Sequence, residues 1–354
     1  MIKKREKKKF KRKNIKIQNI EIDNLEKFEE EDIIEEKRAE KKIVEKGEIS
    51  KKANLELKKG RILEVKSNYK CLVGIGGSKT VCTLSGRLKQ VNFKTRTLVA
   101  VGDYVNVDIS EILRIEEILP RKNSLSRFSE DDFQTEIVLA ANIDQVVITS
   151  SFKEPKISLG LIDRYICAAE INEIIPIICI NKVDLADNLE IVKNKMNFYK
   201  MCNFITIYTS AKTGYGIEEL REILKGKETV FSGHSGAGKS SLINLLQPGI
   251  DLKVAEISDY SKKGVHATSS ARLLEWNFGG YLVDTPGIKT FGLHREDKDK
   301  IHRVFPGISE LVKVCKFKNC THTHEKDCEI KKAIEKGYFP VERYDSYVRI
   351  FESL

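Results

Sequence analysis

Gly233, Gly238, Lys239 and Ser240 fill the pattern G-x-x-x-x-G-K-[ST], with His234, Ser235, Gly236 and Ala237 between the glycines and Ser241 behind them. Glycines so spaced let the backbone curl until successive N–H groups point at one anion, and a helix starting at Lys239 adds the positive end of its dipole. Lys239 is then placed to reach the β- and γ-phosphates of a nucleotide, and the Ser240 hydroxyl to ligate Mg²⁺. A bare Gly-rich turn is the alternative. The setting argues against it, because Thr229-Val-Phe231 reads as a strand before the loop, and Leu242, Leu245 and Leu246 recur at helical spacing after it.

Two further motifs sit where such a site needs them. Asn181-Lys-Val-Asp184 follows the apolar run Ile174 to Ile180. An edge-on Asp184 accepts both N–H donors of guanine, which adenine cannot match; Asn181 is assigned to N7 and to bracing the loop, and the Lys182 stem to the ring face. Alone, the four letters also describe an ordinary strand-end turn. Ser210-Ala-Lys212, after the run Phe204 to Tyr208, is read as offering the Ala211 N–H to the guanine O6. Asp284-Thr-Pro-Gly287 follows Tyr281-Leu-Val283; its carboxylate would hold Mg²⁺ through water and the Gly287 N–H would sense the γ-phosphate, a plain Pro-Gly turn being the alternative. Gly264-Val-His-Ala-Thr-Ser-Ser270 lies where a switch loop belongs. Together these point to GTP rather than ATP.

A second chemistry is carried by Cys315-x4-Cys320-x-His322-x5-Cys328. Three thiolates and an imidazole complete a tetrahedron around structural Zn²⁺, one per chain, with no open position for water. His324 is the alternative to His322, and unliganded reduced cysteines the alternative to a metal. Cys71, Cys82, Cys167, Cys179 and Cys202 are scattered in apolar contexts and read as reduced core residues.

The elements that must position these groups fall into blocks. Short β-type runs fill about 60 to 117: Arg61–Val65, Cys71–Ile75, Thr80–Leu84, Leu98–Val101 and Tyr104–Asp108, separated by Gly76-Gly77 and Val101-Gly-Asp103. They predict a small barrel of the OB type. Pro120 to Arg127 reads as a connector. From about 136, strands (Gln145–Ile148, Ile174–Ile180, Phe204–Tyr208, Thr229–Phe231, Tyr281–Val283) alternate with helical stretches (Leu161–Glu170, Gly216–Lys225 and after Lys239), which predicts a mainly parallel, doubly wound sheet. Beyond His294 the chain is charged and helix-like around the Cys cluster.

The order of the motifs is base reader, phosphate loop, then switch, the reverse of ordinary GTPases and a circular permutation of the same sheet. In that order the sequence resembles the circularly permuted GTPases of the RsgA/YjeQ type over residues 58 to 350. Pro120-Arg-Lys-Asn-Ser-Leu-Ser-Arg127 is similar to the family's connector and Arg343-Tyr-Asp-Ser-Tyr347 to its C-terminal signature. The resemblance implies Zn²⁺ on the Cys₃His set and action in late maturation of the small ribosomal subunit. It also implies a His at position 266 that acts when the ribosome orders the switch loop. Ile288 stands where many GTPases place a water-orienting Gln, so His266 is the candidate that replaces it, with Lys239 and Thr268 beside it. The family has His-Thr-Thr where this chain has His266-Ala267-Thr268, and Thr268 is aligned with the Thr on Mg²⁺.

Charge sets the remaining bounds. Lys and Arg number 62 against 52 Asp and Glu, a net +10, yet residues 1 to 13 hold nine of those cations against Glu6 alone. Basicity therefore belongs to an arm, followed by an acidic segment from Glu21 to Glu36, and residues 1–57 read as a disordered, polyanion-seeking extension. No apolar run is long enough to span a bilayer. The expectation is a multidomain cytoplasmic monomer: an OB-type β-barrel over 58–120, a circularly permuted α/β P-loop GTPase domain over 121–293, and a mainly helical zinc-binding domain over 294–354. GTP and GDP, the small ribosomal subunit and its rRNA are the expected partners, with no membrane. A nucleotide-gated RNA-binding scaffold with incidental turnover is the competing reading.

Overall fold

The structure is a computed structural model that describes residues 55–66, 70–90, 97–110, 112–128, 136–250, 271–284 and 293–354. The charged arm, the loop holding His266 and Thr268, and Gly287 lie outside the described residues.

Five strands make the first unit of the sheet: β1 (Leu57–Val65), β2 (Lys70–Ile75), β3 (Ser78–Leu84), β4 (Tyr104–Asp108) and β5 (Arg114–Ile118), with the short helix α1 (Gly86–Gln90) after β3. Their order is β1-β2-β3-β5-β4, and Leu57–Arg61 pair back onto Tyr104–Asp108, which closes a barrel. Alternation places Ile62, Cys71, Val73, Cys82, Val105, Val107 and Ile115 inside it, each fully buried. The expected strand at Leu98–Val101 is not one; only Val101 makes a lone bridge, to Ala140. The fifth strand is Arg114–Ile118 instead, whose pattern is blurred by Glu116 and Glu117. The stretch expected as a connector contains β6 (Ser124–Phe128), which pairs with β7 (Glu136–Ala141) in a separate two-stranded sheet. Arg121 anchors it to the barrel through two bonds to the buried Asp103 carboxylate, 2.7 and 2.8 Å.

The second unit contains β8 (Gln145–Ser151), β9 (Ile175–Asn181), β10 (Ile205–Tyr208), β11 (Glu228–Gly233), β12 (Arg272–Glu275) and β13 (Tyr281–Asp284), in the order β10-β9-β8-β11-β13-β12. All neighbours are parallel except β12 against β13. Parallel strands are covered on both faces, hence their unbroken apolar runs. One face, with Val146, Ile148, Ile178 and Ile180, packs on α2 (Leu159–Ile171) and α3 (Leu189–Met201). The other, with Val147, Ile177, Cys179 and Ile207, packs on α4 (Ile217–Leu224) and α5 (Lys239–Leu246).

The C-terminal part runs through short helices α6 (Ile301–Val304) and α7 (Ser309–Val312), then α8 (Glu329–Glu335) and α9 (Val341–Glu352). Its apolar residues, among them Phe305, Ile330, Tyr347 and Ile350, join the core beneath α2 and α3 and do not form a separate one. The barrel meets the sheet at a single register pair, Glu64 with Arg272, reinforced by their 3.2 Å ion pair and by a second pair, Arg61 with Glu228. Among the described residues no helix is long and apolar enough to cross a membrane.

Candidate nucleotide site and metal site

Because β8, β9, β10, β11 and β13 run the same way, their carboxyl ends lie along one edge of the sheet. Asn181 ends β9, Ser210 follows β10, the phosphate loop leaves β11 at Gly233 and Asp284 ends β13. The sheet thus gathers at one edge all four motifs read from the described residues, which is where ligands bind in such folds.

The phosphate loop is shaped by close approach. Gly238 lies at φ 92, and a Cβ there would overlap Asn181 Nδ2; Gly233 lies at φ 131, and a Cβ there would overlap the Thr149 carbonyl. Only glycine fits either position. Asn181 is 1% exposed and holds the loops together: its Nδ2 donates to Ala237 O at 2.9 Å, and its Oδ1 accepts from the Ala211 N–H at 3.2 Å and Thr209 Oγ at 3.3 Å. These bonds tie the loop after β10 to the phosphate loop through one side chain. The Ala211 N–H that was expected to meet guanine O6 is bonded to Asn181 here, so meeting the base requires sharing it. Lys239 Nζ folds back onto the carbonyls of Gly233 and His234, both at 2.9 Å, the space a phosphate would take.

On the base side Ser210, fully buried, donates its hydroxyl to Asp184 Oδ1 at 2.5 Å and accepts from the Thr213 N–H at 3.1 Å. These bonds hold one oxygen of the otherwise exposed Asp184 carboxylate. Lys182, at φ 59, donates to the carbonyl of Glu154, a residue the sequence did not single out. Lys212 and Ser241 are exposed, Ser240 half-buried. Burial lifts the Asp284 carboxyl above its usual range, and Arg272, its partner across the β12–β13 ladder, pulls it back down.

The Cys cluster assembles as expected. The ligand atoms of Cys315, Cys320, His322 and Cys328 lie within 4.8 Å of one another, and His322 Nδ1 stands 3.6 Å from Cys315 Sγ and 3.5 Å from Cys328 Sγ. Donors bound tetrahedrally to zinc stand roughly 3.8 Å apart, so the set can hold such an ion. His322 is fully buried and belongs to the cluster, whereas His324 turns outward with its side chain 79% exposed. Burial, helped by His302, pushes the His322 imidazole down to about 4, which keeps it neutral as a ligand must be. Burial acts the other way on two of the thiols: aided by Cys328 it raises Cys320 to about 12, and it raises Cys328 as well.

Sequence reasoning missed what props this loop. Glu325 accepts from the N–H groups of Thr321 (2.7 Å) and Thr323 (3.1 Å) and from the Thr321 hydroxyl (2.9 Å). Tyr344 and Tyr347 of α9 donate their hydroxyls to the carbonyls of His322 and Thr321, at 2.9 and 2.8 Å. The Tyr-rich signature was visible in the sequence, but its target was not.

Comparison with known proteins agrees with this geometry. The family described as "RsgA GTPase" matches residues 118–294, from the end of the barrel to the last motif strand and beyond. A Bacteroides fragilis protein named small ribosomal subunit biogenesis GTPase RsgA is 36% identical over 298 residues, covering 83% of this chain and 96% of its own. The crystal structure of YjeQ from Thermotoga maritima superposes with a TM-score of 0.70 at 34% identity, over 84% of this chain and 98% of that one. YloQ, described as a circularly permuted GTPase, superposes at 0.65 with 28% identity, over 86% and 97%. Motif order, sheet order and relatives agree, and the chain belongs to the RsgA GTPase family.

Proposed function

We propose that this chain hydrolyses GTP in the maturation of the small ribosomal subunit, binding the subunit and its rRNA and turning over faster when bound. The observation that carries the reading is the meeting of Asp184, Asn181, the phosphate loop and Asp284 on one sheet edge in permuted order. A relative over 83% of the chain is named for that role.

In this reading Asp184, steadied by Ser210, accepts the guanine N–H groups, while Asn181 locks the base loop to the phosphate loop. Lys239 exchanges its bonds to Gly233 O and His234 O for phosphate oxygens, and the backbone from His234 to Ser241 cradles them. Ser240, Asp284 through water, and Thr268 would hold Mg²⁺, and such an ion would supply positive charge to the phosphate oxygens. Gly287 would sense the γ-phosphate. Cys315, Cys320, His322 and Cys328 would hold one structural zinc. The catalytic assignment is His266, which would orient the attacking water when the subunit is bound. The arm of residues 1–13 supplies sequence-independent phosphate contacts, so deleting it should flatten the salt dependence of subunit binding without changing hydrolysis by the free protein.

The test is multiple-turnover GTP hydrolysis with and without small subunits. The free protein should be slow and the subunit should stimulate it. His266→Ala should lose most of the stimulated rate while keeping GTP affinity and subunit binding. Full stimulation in that variant would remove His266 from the mechanism, and absence of stimulation in the wild type would sink the proposal.

A further inference from the structure

Arg343 and Asp163 form the most deeply buried of the described ion pairs, their side chains 8% and 0% exposed and 2.7 Å apart. Tyr199 closes a triangle: its hydroxyl donates to Asp163 Oδ1 at 2.6 Å and accepts from Arg343 Nη1 at 2.8 Å. Three elements, α2, α3 and α9, meet there. Taking such a pair out of water costs as much as its attraction returns, and apolar side chains of similar volume would hold the same helices at least as firmly. What the triangle adds is one defined geometry, because each leg fixes a donor direction and an acceptor direction.

Both helices lead on to a site. The segment Ser151–Ser158 that enters α2 lies against the nucleotide loops: the Phe152 N–H donates to Asn181 O at 3.0 Å, Glu154 O accepts from Lys182, and Pro155 Cδ lies 3.6 Å from where a Cβ on Gly236 would stand. On α9, Tyr344 adjoins Arg343 and Tyr347 follows one turn later, and their hydroxyls hold the carbonyls of His322 and Thr321 in the metal loop. A packed line of contacts therefore runs from phosphate loop to α2, through the triangle to α9, and on to the metal loop.

We propose that the Asp163–Tyr199–Arg343 triangle is the joint through which nucleotide state at the phosphate loop is transmitted to the metal loop, with Asp163 and Arg343 as positioning residues. This rests on the nucleotide reading above. Coupling of this kind is a free energy shared by two sites, carried by contiguous packed and hydrogen-bonded groups, and its measure is the response of one site to the ligand of the other.

The experiment uses the full chain loaded with zinc. Hydrogen exchange is followed at residues 320–325 and along α9, with Mg²⁺–GDP against a non-hydrolysable GTP analogue. In the wild type the change of nucleotide should alter exchange in the metal loop about fivefold, the lower end of common allosteric couplings. The apolar triple variant Asp163→Leu, Tyr199→Phe, Arg343→Met should keep melting temperature, zinc content and GTP affinity, and lose that response. Arg343→Lys, which keeps the charge but not the geometry, should lose most of it, and decides the matter if the triple variant does not fold. Full transmission in whichever variant folds would overturn the proposal, as would a wild-type metal loop indifferent to nucleotide. GTP affinity, measured on the same samples, separates these failures from failure of the nucleotide reading itself.

Discussion

The phosphate loop bends at three glycines between a strand and a helix, whereas the metal loop bends at His322, a non-glycine residue at φ 61. The first takes its shape from β11 before it, α5 after it and Asn181 wedged against it. The second is flanked in sequence only by the short α7 and α8 and takes its shape from its own Glu325 and from the two α9 tyrosines. One loop is shaped by the strand and helix that flank it and by Asn181; the other is held by side-chain hydrogen bonds to its backbone. Removing a metal should accordingly undo the second loop far more than removing a nucleotide undoes the first.

The largest effect expected from this contrast is at the metal. Structural zinc contributes on the order of 10 kcal/mol of binding free energy to the folded form. Cys328→Ser should reduce bound zinc to near zero by mass spectrometry and deprotect the metal loop over residues 315–328, while the amides of β11 stay protected. Loss of β11 protection in step would show that the phosphate loop is not preformed. Next comes the wedge. Gly238→Ala sets a Cβ against Asn181 Nδ2 at a positive φ, so backbone strain and a broken Asn181–Ala237 bond should together cost about 2–4 kcal/mol of GTP affinity by calorimetry. Wild-type affinity would mean the loop is pliable.

Asp184→Asn leaves the loop standing and removes only the charged acceptor, so GTP affinity should fall by about 1.5–3 kcal/mol. Unchanged discrimination between GTP and ATP would take the base-reading role from Asp184. The smallest change is at the prop. Burial favours a protonated Glu325, but hydrogen bonds from Thr321 outweigh it and bring the carboxyl from the ordinary 4.5 down to about 2. Its folded-state value is depressed, so its stabilisation is present above pH 4.5 and is lost as pH falls toward about 2. Glu325→Gln should weaken zinc binding about fivefold at pH 7, the worth of one hydrogen bond. The stability gap between wild type and variant should close on acidification through that window; a gap that stays constant would mean the carboxylate's charge is not what holds the loop.

What the sequence made legible was local. Each nucleotide motif is a few residues at a strand end, so spacing alone singled out Asp184, Gly238 and Asp284 as candidates, and the fourteen-residue Cys cluster singled out four donors that the fold brings together. Strand alternation failed where charge interrupts it, as at Arg114–Ile118. Helix Leu189–Met201 went unmarked because Lys193, Asn194, Lys195 and Asn197 break up its apolar stripe. Groups that act through distant partners left no signal: Asp163 and Arg343 are separated by 180 positions, and nothing near either names the other. The preference for His322 over His324 agrees with the fold, in which the loop turns the His322 ring inward and leaves the His324 ring exposed.

The seam between Glu64 and Arg272 has a consequence for biosynthesis. These residues stand about 200 positions apart, and at cellular rates of chain elongation the second emerges about 10–40 s after the first. The barrel, whose strands all lie between Leu57 and Ile118, can close long before then. During that interval the end of β1 that will meet β12 waits as an open edge, inviting mispairing with other nascent chains. A charge such as that of Glu64 is the kind of residue that discourages edge pairing, and in the folded chain it meets Arg272.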